Sequence, residues 1–215
     1  MSELMKRSTV GLALIIVALL AAVLGGYPFA ILVALGACVM LYEWRQLVQE
    51  WGIGWQIGGF VYALVPALAL LWIRERFEMN QAPVGLELLL WVFITSWSVD
   101  IGAYFAGRTI GGPKLAPAIS PNKTWAGLIG GMAAATFFGG LWAYLLHLPA
   151  LLIVLAAPFG AAAQVGDLFE SWLKRRAGVK DSGRWLPGHG GALDRLDGLV
   201  VVATLTAAAM LGGAL

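Results

Sequence analysis

TWAGLIGGMAAATFFGGLWAYLLHLPALLIVLAAPFGAAAQVG, residues 124–166, holds no Asp, Glu, Lys or Arg. His147 and Pro149 fall where a short turn divides it into two stretches near the ~20 residues that cross a ~30 Å hydrocarbon core. An unbroken apolar helix satisfies its own backbone polar groups, which is the condition a bilayer imposes. The stretch therefore reads as two membrane helices in a tight hairpin. Gly127, Gly130, Gly131, Gly139, Gly140 and the Ala161–Ala163 run let helix backbones approach closely, as packing in lipid requires, and are read as structural.

The whole chain agrees with its centre. Of 215 residues, 60% are hydrophobic and 12% charged, with a mean hydropathy of +0.82, well outside the range of soluble domains. Apolar stretches near residues 8–25, 27–44, 52–73, 84–106, 124–147, 149–170 and 196–215 predict an all-α, polytopic transmembrane bundle of about seven spans. The first is read as a retained anchor rather than a cleaved secretory signal, because its apolar run is long and another follows at once. The third, interrupted by Gly58, Gly59 and Pro66, reads either as one span or as a re-entrant pair. The single cysteine, Cys38, excludes an intrachain disulfide and a thiolate metal centre. No nucleic acid is expected as a partner; the lipid bilayer is.

With the N-terminus in the cytoplasm, Lys6, Arg7, Arg45, Arg108, Lys114, Lys123, Lys174, Arg175, Arg176, Lys180, Arg184 and Arg195 all lie inside, and Arg74 and Arg76 outside. Twelve of the 14 bases then obey the positive-inside rule, and the C-terminus faces outward. Residues 1–99 are expected to form an N-terminal set of helices and 100–215 a region carrying the chemistry.

That chemistry is announced by charge. Eleven of the chain's 26 charges fall between Gln164 and Asp197, where an even spread would place about four. A solvated cytoplasmic loop, with Glu170 and Lys174 as an i,i+4 pair, explains the bases but not the acids. Asp167 interrupts an apolar stretch, with Glu170 and Ser171 on the same helical face. Asp194 and Asp197 repeat the i,i+3 spacing at the head of the last span. If the two helices pack side by side, their carboxylates converge into oxygen donors for Mg²⁺. Between the pairs, Pro187-Gly188-His189-Gly190-Gly191 offers backbone N–H groups that can approach an anion. His189 alone reads as a loop hydrogen-bonder, but beside Lys174, Arg175, Lys180 and Arg195 it suggests a phosphate site. A second polar insert, Arg108–Thr124, follows Asp100. Asp100 is either a partner for a base on a neighbouring helix or a functional acid, and Lys123 either a membrane-edge anchor or a phosphate contact.

These residues carry a resemblance. The run SWLKRRAGVKDSGRWLPGHGGALDRLD, residues 171–197, resembles the signature of the phosphatidate cytidylyltransferases. Gly166-Asp167-Leu168-Phe169-Glu170, Ser120-Pro121-Asn122-Lys123-Thr124-Trp125 and Asp100–Arg108 resemble further motifs of that family, so the likeness covers residues 100–198. Two departures stand out: Ala126 occupies a position where many members carry glutamate, and residues 1–99 match only in hydropathy, the chain being short for the family.

The resemblance implies transfer of CMP from CTP to phosphatidic acid, giving CDP-diacylglycerol and pyrophosphate, with Mg²⁺ as cofactor. It implies catalytic roles for Asp167, Asp194, Asp197, Lys174 and Arg195. Ser120, Lys123, Thr124, Ser171, Arg175, Lys180, Asp181, His189, Gly190 and Gly191 would contact substrate or phosphate. Asp167, Asp194 and Asp197 would hold the metal, with Glu170 and Asp100 as further candidates. It also implies a homodimer, an active site facing the cytoplasm and, for a bacterial member, the inner membrane. The competing readings are a CTP-dependent lipid kinase or ether-lipid cytidylyltransferase and, more remotely, a membrane transporter, although transporters gather charge near the midplane rather than at one face.

Overall fold

The computed structural model describes residues 3–76, 84–183, 185, 190–213 and 215. Among these residues the chain forms seven α-helices: α1 (Glu3–Leu24), α2 (Gly26–Leu47), α3 (Ile53–Arg74), α4 (Gly85–Thr109), α5 (Trp125–Leu145), α6 (Leu151–Arg176) and α7 (Leu193–Leu211). Each coincides with an expected apolar stretch. The third is one continuous helix with Pro66 inside it, so the re-entrant alternative is set aside.

Helices α2 to α6 are long and apolar enough to cross a membrane; the apolar part of α1, Thr9–Leu24, is shorter. Leu12, Leu20, Val23, Leu35, Leu68, Phe137 and Val154 are exposed on the helix faces, where acyl chains rather than water are the matching solvent. The chain is an integral membrane protein.

The chain divides into two compact units. The first comprises residues 1–86 and 173–196, the second residues 87–172 and 197–215.

In the first unit, α1 gives way to α2 at Gly25, whose φ of +63° only glycine adopts without strain. Arg74 donates there to the terminal carbonyls of α1, Nε to Ala22 O at 2.6 Å and Nη2 to Val23 O at 3.1 Å, supplying partners that the helix end lacks. Trp44 of α2 lies on α3, donating from Nε1 to Trp55 O at 2.7 Å, and Gly59 is the position that admits its ring. The end of α6 closes with Gly178 at φ +72°, Gly178 N donating to Arg175 O and Val179 N to Lys174 O. This is a Schellman cap, and it turns the chain sharply into the loop that precedes α7.

In the second unit, α5 meets α4 backbone to backbone. A Cβ on Gly131 would stand 2.9 Å from Val99 O, and one on Gly102 would fall against Ala134 and Gly130. The small residues thus act as the sequence indicated. The α5–α6 hairpin turns on His147, held at φ +56°, with Leu148 N bonded to Ala143 O and His147 N to Tyr144 O, again a Schellman cap.

The polar insert before α5 is more ordered than its sequence suggested. β1 (Lys114–Ala116) and β2 (Ser120–Thr124) pair antiparallel, Lys114 opposite Thr124 and Ala116 opposite Ser120. β2 runs directly into α5, where Thr124 is the N-cap and its Oγ1 accepts from Gly127 N at 3.0 Å. The hairpin therefore fixes where Lys123 leaves the backbone, one residue before a capped helix.

Candidate active site

The charged residues named by the sequence gather into two clusters, one in each unit, each built round a lysine and an aspartate.

In the first unit, Lys174 on the last turn of α6 meets Asp194 on the first turn of α7, Nζ to Oδ1 at 2.5 Å. The pair is largely desolvated, with side chains 12% and 9% exposed. Asp194 Oδ2 accepts from Gly191 N at 2.7 Å, Ser182 N at 3.0 Å and Ser182 Oγ at 3.0 Å. Burial pushes the Asp194 carboxyl up, but the Lys174 ammonium and the two backbone donors outweigh it and hold the group below the usual carboxylate range. Asp194 is thus ionised at neutral pH. Lys174 alone faces Oδ1, while Gly191 N, Ser182 N and the Ser182 hydroxyl crowd Oδ2.

The glycines of the loop serve this carboxylate. Gly190 takes φ +83°, and a Cβ there would stand 2.7 Å from Asp194 Oδ2. Gly191 turns its N–H onto Asp194 and leaves no room for a side chain against Ser182 and Glu43. The N–H of Gly191 that the sequence offered to a phosphate is here bonded to the chain's own acid. Gly190 shapes the same turn. His189, with Arg184, Pro187 and Gly188, lies outside the described residues.

The bases of this unit face outward. Lys180, Arg195 and Arg175 are exposed, Arg175 donating to Val179 O at 3.0 Å, and Asp181 is exposed beside them. Arg176 instead lies over the Trp51 ring, 4.5 Å from its centroid. Lys174 and its neighbours therefore present positive charge round a neutralised aspartate.

The sequence reading passed over two residues that hold this arrangement. Ser182 links Asp194 to Glu43 of α2, with its Oγ 2.9 Å from Glu43 Oε2. Glu43 is 1% exposed and also accepts from Ala192 N and Leu193 N, both at 2.9 Å. The signal was present: Glu43 is the only acid in the apolar run of α2, and an intramembrane acid is functional by default. Its place at the end of the run made it look like a membrane-edge residue.

In the second unit, Lys123 Nζ meets Asp167 Oδ2 at 2.5 Å, with side chains 19% and 30% exposed. Ser171 Oγ is 3.4 Å from Asp167 Oδ1, a long contact. Asp197 lies within electrostatic reach of Asp167, Asp100 and Lys123, and accepts from Gly198 N at 2.8 Å. α6 and α7 approach closely enough for this because Gly166 has no side chain: a Cβ there would stand 2.9 Å from Asp197 O and 2.5 Å from Val201 Cγ2. Asp167 and Asp197 thus come within electrostatic reach of one another. Thr124 is buried, and its Oγ1 accepts the helix-cap bond from Gly127 N. Ser120, half-buried, opens β2, and Glu170 is buried.

Asp167, Asp100 and the Lys123 ammonium therefore lie within electrostatic reach of Asp197, and the carboxylate donors are all hard oxygens. Among the described residues no group of three ligating side chains stands close enough to form a complete metal cage. Mg²⁺ does not need one, since it is commonly held by one or two carboxylates plus waters and substrate phosphates. The donors fit the ion in that open form.

Comparison with known proteins gives these clusters a context. Residues 53–211 match the model of the Cytidylyltransferase family. A phosphatidate cytidylyltransferase of Brucella suis is 48% identical over 176 residues, covering 81% of this chain and 62% of the relative. Another from Rickettsia bellii is 36% identical over 188 residues, covering 83% and 77%, and one from Pseudomonas aeruginosa is 37% identical over 178 residues, covering 80% and 64%. The chain spans about three fifths of the length of the Brucella relative it matches. With three quarters of its length inside the family's boundaries and its charged clusters within them, the chain belongs to the Cytidylyltransferase family.

Proposed function

We propose that the protein is a CTP:phosphatidate cytidylyltransferase, which transfers CMP from CTP to phosphatidic acid and yields CDP-diacylglycerol and pyrophosphate. The observation that carries this reading is the gathering of Asp100, Asp167 and Asp197 with Lys123 in the second unit, in a chain whose relatives bear that name. Such a cluster suits the metal ion that accompanies a nucleoside triphosphate.

In the reaction, a phosphate oxygen of phosphatidic acid attacks the α-phosphorus of CTP. The bond from that phosphorus to the bridging oxygen breaks, and pyrophosphate leaves with the electron pair. The lipid phosphate is already ionised at neutral pH, so no side chain has to remove a proton. What the protein supplies is positioning and neutralisation of repelling anions. Mg²⁺ held by Asp167 and Asp197, with Asp100 near them, would screen the phosphate oxygens. Lys174, Arg175, Lys180 and Arg195 would neutralise phosphate charge. Lys123, drawn off Asp167 by the ion, would add another ammonium, and Ser120 a hydroxyl on the same strand.

We place these clusters on the cytoplasmic face, because that assignment puts 12 of the 14 bases inside. For a bacterial protein the membrane is then the inner one.

The test is direct. Detergent-solubilised protein given CTP, Mg²⁺ and phosphatidic acid should release pyrophosphate and place cytidine on the lipid. Release of CDP without a cytidine-bearing lipid would show a CTP-dependent lipid kinase instead. Chelation of the metal should stop the reaction, and added Mg²⁺ should restore it.

A further inference from the structure

Glu43 is a buried carboxylate with no place in the proposed chemistry. It is 1% exposed, and among the described residues it has no ion pair. An acid desolvated in this way is costly unless hydrogen bonds replace the lost water. Here three donors do so: Ala192 N on Oε1, and Leu193 N and Ser182 Oγ on Oε2, each at 2.9 Å. Two of them are N–H groups at the N-terminus of α7, where the helix has unsatisfied donors and a favourable dipole.

The third donor leads to Asp194. Ser182 Oγ is 2.9 Å from Glu43 Oε2 and 3.0 Å from Asp194 Oδ2, and a hydroxyl has one proton to give. Ser182 N and Gly191 N both donate to Asp194, and these two residues lie in the segment that Glu43 pins at Ser182 and at Ala192–Leu193. Gly183 and Gly191 are the positions where an added Cβ would strike the Glu43 carboxylate, so the chain closes round it on two sides.

We infer that Glu43 is a positioning residue: from α2 it fixes the start of α7 and the Ser182 turn, and so sets the Asp194 carboxylate that holds the Lys174 ammonium. It touches no substrate. Its effect on turnover rests on the cytidylyl-transfer reading; its effect on Lys174 does not.

The experiment therefore has two arms. Full-length wild type, Glu43→Gln and Ser182→Ala in detergent are treated with an amine-acylating reagent, and the labelling rate of each lysine is read by mass spectrometry. Lys174 should label at least threefold faster in Glu43→Gln and at least twofold faster in Ser182→Ala, while Lys123, paired with Asp167 in the other unit, keeps its wild-type rate. Equal acceleration at both lysines would mean general loosening and would overturn the assignment, as would unchanged labelling at Lys174. Should Glu43→Gln fail to fold, Ser182→Ala decides by the same criterion. In the kinetic arm, Glu43→Gln should lower kcat at least tenfold with KM for CTP within about threefold. Wild-type kcat in the folded variant would overturn the role in turnover. A wild type that transfers no cytidine would refute the functional reading and leave the labelling result to judge Glu43.

Discussion

Replacing Gly166 by alanine tests whether the closeness of α6 and α7 is what brings Asp167 and Asp197 together. The added Cβ would stand 2.5 Å from Val201 Cγ2 and 2.9 Å from Asp197 O, short of the 3.4 Å where ordinary contact begins by about 0.9 and 0.5 Å. Backbone cannot yield as a flexible side-chain tip does, so α7 must shift by several tenths of an ångström at Asp197. Overpacking of this kind costs about 1–3 kcal/mol, which lowers the melting temperature of a chain this size by about 2–4 °C per kcal/mol. The catalytic penalty should be larger than the stability loss suggests. A misplacement near 1 Å in a positioned site costs on the order of 10²-fold, so a ten- to hundredfold fall in kcat is expected. Gly36→Ala is the control: it lies inside α2, a Cβ there meets nothing within 4 Å, and the change should stabilise by about 0.5–1 kcal/mol with turnover unaltered. Pyrophosphate release against Mg²⁺ concentration and a thermal melt measure both variants. If Gly166→Ala keeps wild-type kcat and Mg²⁺ dependence despite a lowered melting temperature, the Asp167–Asp197 juxtaposition is not the metal site.

Lys123→Met removes the ammonium that competes for Asp167, so half-saturating Mg²⁺ should fall roughly tenfold. A value that stays level or rises in a Mg²⁺ titration would contradict the competition. Arg74→Met leaves the Ala22 and Val23 carbonyls without their charged donor and should cost about 1.5–3 kcal/mol in a thermal or denaturant melt. Arg74→Lys should recover little of it, because one ammonium cannot match the spread of the guanidinium over two carbonyls. Thr124→Ala removes the α5 cap and should cost about 1 kcal/mol, whereas Thr124→Ser should keep most of it.

The helices were legible because lipid leaves so little choice. A run such as Leu151–Val165, with no charge in it, has to become helix if it is to cross a bilayer, and α6 runs from Leu151. The β1–β2 hairpin was not legible, since Pro113, Pro117 and Pro121 break any strand pattern and the pairing is only three to five residues long. Asp167 and Asp197 could be marked from their spacing, but their ammonium partner, Lys123, is 44 residues before Asp167 and no local pattern joins them. At Gly191 the partner of the N–H was not legible for a different reason. Sequence shows that N–H groups are accessible, but not whether a ligand or the chain's own carboxylates will take them. Glu43 supplies one of those carboxylates from more than 140 residues away.

The two lysine–aspartate pairs share a separation of 2.5 Å but differ in their surroundings, and that difference assigns them different work. Asp194 pairs with Lys174 and accepts from Ser182 and Gly191, and the first unit's cluster carries the exposed basic side chains Arg175, Lys180 and Arg195. Such a cluster attracts phosphate. Asp167 pairs with Lys123 in a neighbourhood that includes Asp197 and Asp100, and carboxylates gathered in this way suit a hard cation. Each cluster is thus matched to one kind of partner that the proposed reaction needs, phosphate groups for the first and a hard cation for the second, whereas a channel or a simple cation transporter gives the basic cluster no role.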